Sequence, residues 1–306
     1  MKYSFRYYRE SDDAQVRELV LASYQWSVPA WSISRHEFCR GLHPAFVGAP
    51  GSWRHTNGLW FEGEHLAAAV VSEGNYDGGA FLLFDRVSRM NDRELLDRML
   101  FHAETHIARF ESTTGERILD LHVPVQCPVL REYARERGYE FKGIHDRQNI
   151  LTFPEGPFEI ELPAGFRIID GTTAPAFYLS NVHAFSFQYG LPHTETGEAA
   201  FNHLRQMPDY RPELELVALD PEGKPAGMAI IWYHEAMPYC ELEPLGVVWW
   251  HRRKGVAKAL LWEAANRVRK IGPARGMLGG DQPFYETLGF VPEGQDEFWQ
   301  WRRKVR

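Results

Sequence analysis

The residues best placed to do chemistry lie in one short run, Arg252-Arg253-Lys254-Gly255-Val256-Ala257, where three cations precede a glycine. Upstream, 241–248 has the character of a β-strand; downstream, Val256, Leu260, Ala264 and Val268 fall on one face of a helix over 256–270. A basic glycine loop between strand and helix suits a phosphate. The first amides of a helix lack intrahelical acceptors and sit at the positive end of its dipole, and glycine lets the backbone approach a ligand closely. The cationic side chains can then pair with phosphate oxygens. In the preceding strand Glu241 and Glu243 stand two apart, which predicts that both carboxylates share one face.

Other chemistries lack their residues. There is no G-x-x-x-x-G-K-[ST] and no G-x-G-x-x-G after a strand, which removes nucleotide hydrolysis and dinucleotide redox reactions. No G-x-S-x-G elbow supports a serine hydrolase. His36-Glu37 and His234-Glu235 lack the second histidine of H-E-x-x-H, so no metal site is expected. Cys39, Cys127 and Cys240 are widely separated and odd in number, which predicts buried free thiols. A net charge of -7 argues against a nucleic-acid partner. The polar start and the absence of a run of about 18 apolar residues predict a cytoplasmic protein with no membrane partner.

A loop of this kind needs a strand and a helix to present it, and the chain carries the framework twice. At 306 residues and 44% hydrophobic side chains, two domains are expected. Phe5-Arg6 opens a strand that leads into a helix over 14–24, and Phe166-Arg167 opens another that leads into a helix over 176–187. A hairpin pattern at 59–74, turning at Gly63, returns at 215–233 with its turn at 221–223. Late in each half a helix ends on a glycine and an aromatic, Gly138-Tyr139 and Gly289-Phe290. Order is preserved as well as local pattern. The connector Pro154-Glu155-Gly156-Pro157 places the boundary near Phe158, giving domains 1–157 and 158–306. Hairpins mixed with helices predict an α/β architecture, a mixed sheet flanked by helices.

The C-terminal half resembles the GNAT superfamily of acyl-CoA-dependent N-acyltransferases, whose signature loop is [RQ]-x-x-G-x-[GA]. Arg252, Gly255 and Ala257 match it, and the family's later Y-x-x-x-G-F is matched from Tyr285 to Phe290. The hairpin turn at 220–227 is similar to the family's second hairpin. Two departures stand out: Trp249-Trp250 replaces the usual proline and acidic residue, and Gly279-Gly280-Asp281-Gln282 stands where many relatives carry asparagine. In the N-terminal half the resemblance covers the architecture alone. Ser88-Arg89-Met90-Asn91-Asp92-Arg93-Glu94 has no glycine at the loop position, and Ala134 stands where Tyr285 would. The whole is similar to tandem members of the superfamily in which one domain has lost the cofactor, leaving 1–157 a structural or substrate-shaping role.

The resemblance implies direct transfer of an acetyl group from acetyl-CoA to a primary amine, with no covalent enzyme intermediate. A base must take the amine's proton, and Glu241 and Glu243 are both candidates. Tyr285 would protonate the leaving thiolate. Backbone amides at Gly246, Val247 and Val248 would hold the thioester carbonyl and pantetheine arm, and Arg252, Arg253, Lys254, Gly255, Val256 and Ala257 the pyrophosphate. A small-molecule amine is the default acceptor. Glu195, Glu198, His193, His234 and Glu235 either draw a cationic amine to the site or are solvated loop charges. Trp232, Tyr233 and Tyr239 either line a cleft or belong to the core. The alternatives are an acyl-CoA sensor or adaptor, or a different acyl donor; monomer and homodimer both remain open.

Overall fold

The computed structural model describes residues 2–26, 28–39, 55–74, 78–187 and 195–305. The chain divides into two compact units, one built from Met1–Gly41, Phe46–Gln148 and Glu293–Arg306, the other from Asn149–Pro292.

In the first unit β1 (Ser4–Tyr7) leads into α1 (Asp13–Ser23) and α2 (Ile33–Glu37), followed by β2 (Gly58–Glu62), β3 (His65–Val71) and β4 (Gly79–Phe84). Then come α3 (Arg93–His106), β5 (Arg109–Glu111), β6 (Glu116–Pro124), α4 (Pro128–Glu136) and β7 (Glu140–Thr152), whose residues from Asn149 onward belong to the second unit. β1 to β4 form an antiparallel ladder, while β4 and β6 run parallel. A parallel pair needs a long crossover, and α3 supplies it. Its stripe Leu95, Leu96, Met99, Leu100 and Ala103 is buried in the same core as Ala67, Ala68, Val70, Leu119 and Leu121.

The second unit repeats the plan. β8 (Arg167–Asp170) precedes α5 (Ala176–Phe187) and α6 (Glu195–Leu204), then β9 (Glu215–Leu219), β10 (Pro225–Trp232) and β11 (Cys240–Val247). α7 (Val256–Ile271) crosses to β12 (Gly276–Gly279), and a single turn, α8 (Pro283–Glu286), follows. β8 to β11 are antiparallel, β11 and β12 parallel, and β12 pairs with the last residues of β7, from Gly276↔Thr152 to Gly279↔Asn149. The expected hairpins are present in both units, each with a left-handed glycine in its turn, Gly63 (φ 64°) and Gly223 (φ 79°).

These units differ from halves divided at Phe158. Phe158 stacks on Trp262 of α7 with ring centroids 4.3 Å apart, and its backbone is held by the Asn266 amide at 2.8 and 2.9 Å. The connector thus packs as part of the second unit. The last strand, Val291–Lys304, pairs antiparallel with β6 from Asp296↔Pro124 to Lys304↔Glu116, which assigns residues from Glu293 onward to the first unit. Strand pairing over that sequence distance leaves no local signal.

Candidate active site: a cleft where parallel strands part

β11 and β12 stay in register at two positions only, Cys240↔Met277 and Glu241↔Leu278. Beyond them the strands diverge, and a cleft of about 900 Å³ opens, lined by β11 from Leu242 to Val247, by the loop and first turn of α7, by Ser186 and Phe187, and by Gln282, Phe284 and Tyr285. Divergence leaves backbone groups facing the cleft. Val248 donates its amide to the Ala226 carbonyl at 3.0 Å. Antiparallel residues alternate between bonding the partner strand and facing away, so Gly246, in register with Met228, also turns inward. Of the three amides expected to meet the donor, that of Val247 faces the opening; those of Gly246 and Val248 serve the β10 ladder. Leu245 shares the orientation of Val247.

The loop folds as its glycine requires. Gly255 is the N-cap of α7 with φ 89°, no side chain caps that helix, and its first intrahelical bond runs from Ala259 N–H to the Gly255 carbonyl at 3.0 Å. The amides of Val256, Ala257 and Lys258 therefore lack intrahelical acceptors, with the positive end of the dipole behind them. Arg253 is the one described non-glycine residue with positive φ, 62°. Two left-handed residues so close together curl the loop into a concavity of backbone N–H groups, a shape suited to an anion. Gly227 lets α7 approach the sheet, since a Cβ there would stand 3.0 Å from Val256 and 3.1 Å from Leu260. Arg253 and Lys258 present charge at the cleft, Lys254 stands with its ammonium 3.5 Å from His251 Nδ1, and Arg252 has a different task. Its guanidinium donates to the Val247 carbonyl at 3.2 Å and the Ser186 carbonyl at 2.7 Å.

The two glutamates do not share an environment. Ala229 and Ile231 of β10 face Leu245 and Leu242, so Glu243 and Pro244 together oppose one residue, a bulge that breaks the alternation. Glu241 is 6% exposed, opposite Trp232, whereas Glu243 is exposed and lines the cleft. The indole of Trp232 donates to the Glu243 carbonyl at 2.8 Å, holding the bulge. Tyr285 lines the same cleft. Burial, and secondarily the charge of Glu243, push its phenol up to about 12, so it is protonated at neutral pH. Gly279 permits the position of its ring, because a Cβ there would stand 3.1 Å from Tyr285 and 3.0 Å from Phe290.

The matching positions of the first unit are narrower, with a pocket of about 270 Å³ between the start of α3 and α4, lined by Asn91, Arg93, Glu132 and Tyr133. β4 and β6 also part after a short parallel run, from Gly79↔Asp120 to Phe81↔His122. Trp26, Trp31, Phe84, Met90 and Leu130 close that space to a void of about 30 Å³. The N-terminus of α3 is capped by Asp92, which accepts from Leu95 N–H at 3.3 Å. A carboxylate thus stands where a phosphate would need to. Arg89 is 3% exposed and committed to Asp85 at 3.0 Å, Glu62 at 2.7 Å and the Tyr3 hydroxyl at 2.9 Å.

The structure adds Ser186, Phe187, Gln282 and Phe284 to the site. Only their place in the fold reveals them: Gly246 lets the end of α5 approach, a Cβ there standing 3.1 Å from both residues. Trp232, Tyr233 and Tyr239 are fully buried core residues, so they do not line a cleft. His193 lies outside the described residues. His234 accepts the Ala236 amide at 3.1 Å in its own turn. Among the described residues no group of three His, Cys, Asp or Glu could hold a metal ion, and no helix is long and apolar enough to cross a membrane.

The model of the acetyltransferase (GNAT) family matches residues 179–290. No curated protein matches the sequence. Among solved structures, a tandem GNAT protein from the clavulanic acid biosynthesis pathway, determined without AcCoA, superposes with a TM-score of 0.60 at 17% identity, covering 98% of each chain. A GCN5-related N-acetyltransferase from Sphaerobacter thermophilus gives 0.57 at 14% identity over 99% of this chain and 96% of its own. A GNAT-family acetyltransferase from Colwellia psychrerythraea gives 0.55 at 12% identity over 97% and 99%. At such identities the likeness is one of fold. The chain has the tandem GNAT fold, and its residues 179–290 match the acetyltransferase (GNAT) family model.

Proposed function

We propose that the second unit transfers an acetyl group from acetyl-CoA to a primary amine, that of a small molecule, and that the first unit serves a structural or substrate-shaping role. The observation that carries this reading is the convergence on one cleft of an uncapped helix N-terminus, a strand edge with outward amides, an exposed carboxylate and a protonated tyrosine. The site suits coenzyme A: the loop and the amides of Val256, Ala257 and Lys258 fit a pyrophosphate, and the β11 edge fits an amide-bearing arm. The thioester of acetyl-CoA supplies the activated acyl group.

The residues divide the proton work. Glu243 receives the proton that the amine loses as its nitrogen bonds to the acyl carbon. Tyr285 gives its phenolic proton to sulfur as the C–S bond breaks, and both side chains return to their resting states through solvent. The Val247 amide faces the charge that develops on the carbonyl oxygen. Glu241 lies outside the cleft and supports the strand. Cys39, Cys127 and Cys240 are buried and not joined in disulfides, which accords with a reducing, cytoplasmic setting.

A thiol-release assay with acetyl-CoA across a panel of small primary amines tests the reading. Turnover by the native chain that falls about 100-fold or more in Glu243→Gln supports it. Equal turnover in Glu243→Gln removes the base assignment, and equal loss in Glu241→Gln with Glu243→Gln active moves it to Glu241.

A further inference from the structure

Ser186 is 4% exposed and lines the cleft, and its hydroxyl is buried with no hydrogen-bond partner. A serine late in a helix ordinarily returns its hydroxyl to a backbone carbonyl of the preceding turn. Here it does not. The residue is held in place from elsewhere: its carbonyl accepts from Arg252, which also bonds the Val247 carbonyl. Its Oγ stands 3.1 Å from where a Cβ on Gly246 would be, over the residue flanked by the two outward amides of β11. Buried polar groups in folded proteins find partners, and an unpartnered hydroxyl beside a strand edge suited to an acyl carbonyl is a donor awaiting an acceptor.

We infer that the Ser186 hydroxyl donates a hydrogen bond to the acyl carbonyl oxygen, acting with the Val247 amide as a second, side-chain donor. No bond forms to serine and no proton leaves it; the hydroxyl stabilises negative charge that grows on oxygen as the amine attacks. This inference rests on the acetyl-CoA site proposed above. It also gives Gly246 a purpose, since any side chain there would displace Ser186 and the ring of Phe187.

Isotope-edited infrared spectroscopy of acetyl-CoA labelled with ¹³C at the thioester carbonyl tests it without an acceptor amine. The carbonyl stretch of the bound donor should move to lower wavenumber than that of the free thioester. In Ser186→Ala part of that shift should be lost while calorimetric affinity changes by less than about threefold, and Ser186→Thr should restore it. An unchanged stretch in Ser186→Ala with binding intact overturns the inference. A stretch lost equally in Ser186→Thr also overturns it, because the effect would then be one of packing. Failure of the native chain to bind acetyl-CoA removes the proposed site itself, a result visible in the calorimeter before any spectrum is taken.

Discussion

Arg252 donates from its guanidinium to the carbonyl oxygen of Ser186 at 2.7 Å, tying the loop before α7 to the last turn of α5. The same side chain reaches the Val247 carbonyl at 3.2 Å. One residue therefore sets the spacing between three walls of the cleft. Arg252→Ala should weaken acetyl-CoA binding about 10-fold and raise amide exchange at the end of α5. Arg252→Lys should recover little, because an ammonium cannot span both carbonyls as a planar fork does. If Arg252 acted on phosphate alone, exchange in α5 would not move.

Gly255 occupies a left-handed conformation at φ 89°, and a Cβ there would meet only the Glu161 carbonyl at 4.0 Å. Strain, not a clash, opposes substitution. Gly255→Val should leave the far-ultraviolet circular dichroism native, cost on the order of 1–2 kcal/mol in stability, and weaken acetyl-CoA by about 100-fold or more by refolding the loop. Undiminished affinity would remove the loop from the site.

Tyr285 and Gly279 form a pair in which the small residue positions the large one. Tyr285→Phe should lower kcat about 10-fold or more at nearly constant acetyl-CoA affinity, the signature of a group that acts in the transition state. Gly279→Val should produce a similar loss in kcat by displacing the ring. Normal turnover in Tyr285→Phe would exclude it as the acid.

His102 and His122 give the first unit an acid sensitivity. Burial lowers both, to about 4 and about 3, and the charges of Arg35 and His145 add to the effect at His122. Between the ordinary value of 6.5 and those folded-state values the unfolded chain binds more protons, so stability falls as pH falls through that window, by up to about 1.4 kcal/mol per pH unit for each histidine. The thermal midpoint should drop between pH 7 and pH 5, and by less in the variant His102→Gln, His122→Asn. Equal drops in both proteins would assign the acid sensitivity to other groups.

The loop and α7 were legible because their chemistry is local: cations, a glycine and a helical stripe stand together in sequence. The repeat was legible because hairpin glycines and caps recur in order. The choice between Glu241 and Glu243 was not, since it depends on a bulge that exists only in the pairing of β11 with β10. Likewise Arg252 reads as a phosphate ligand until the end of α5 is seen against it, and Ser186 carries no signal until Gly246 brings it to the cleft. The last strand joins the first unit by partnering β6, which alternation alone cannot announce.

The central claim is an asymmetry: one working acyl-CoA site in the second unit, and a first-unit counterpart narrowed by packed rings and capped by Asp92. Calorimetric titration of the intact chain with acetyl-CoA tests it most directly. One molecule bound per chain, with the heat abolished by Gly255→Val and retained in Asp92→Ser, is the expected result. Two molecules per chain, no binding, or binding that survives Gly255→Val would contradict it.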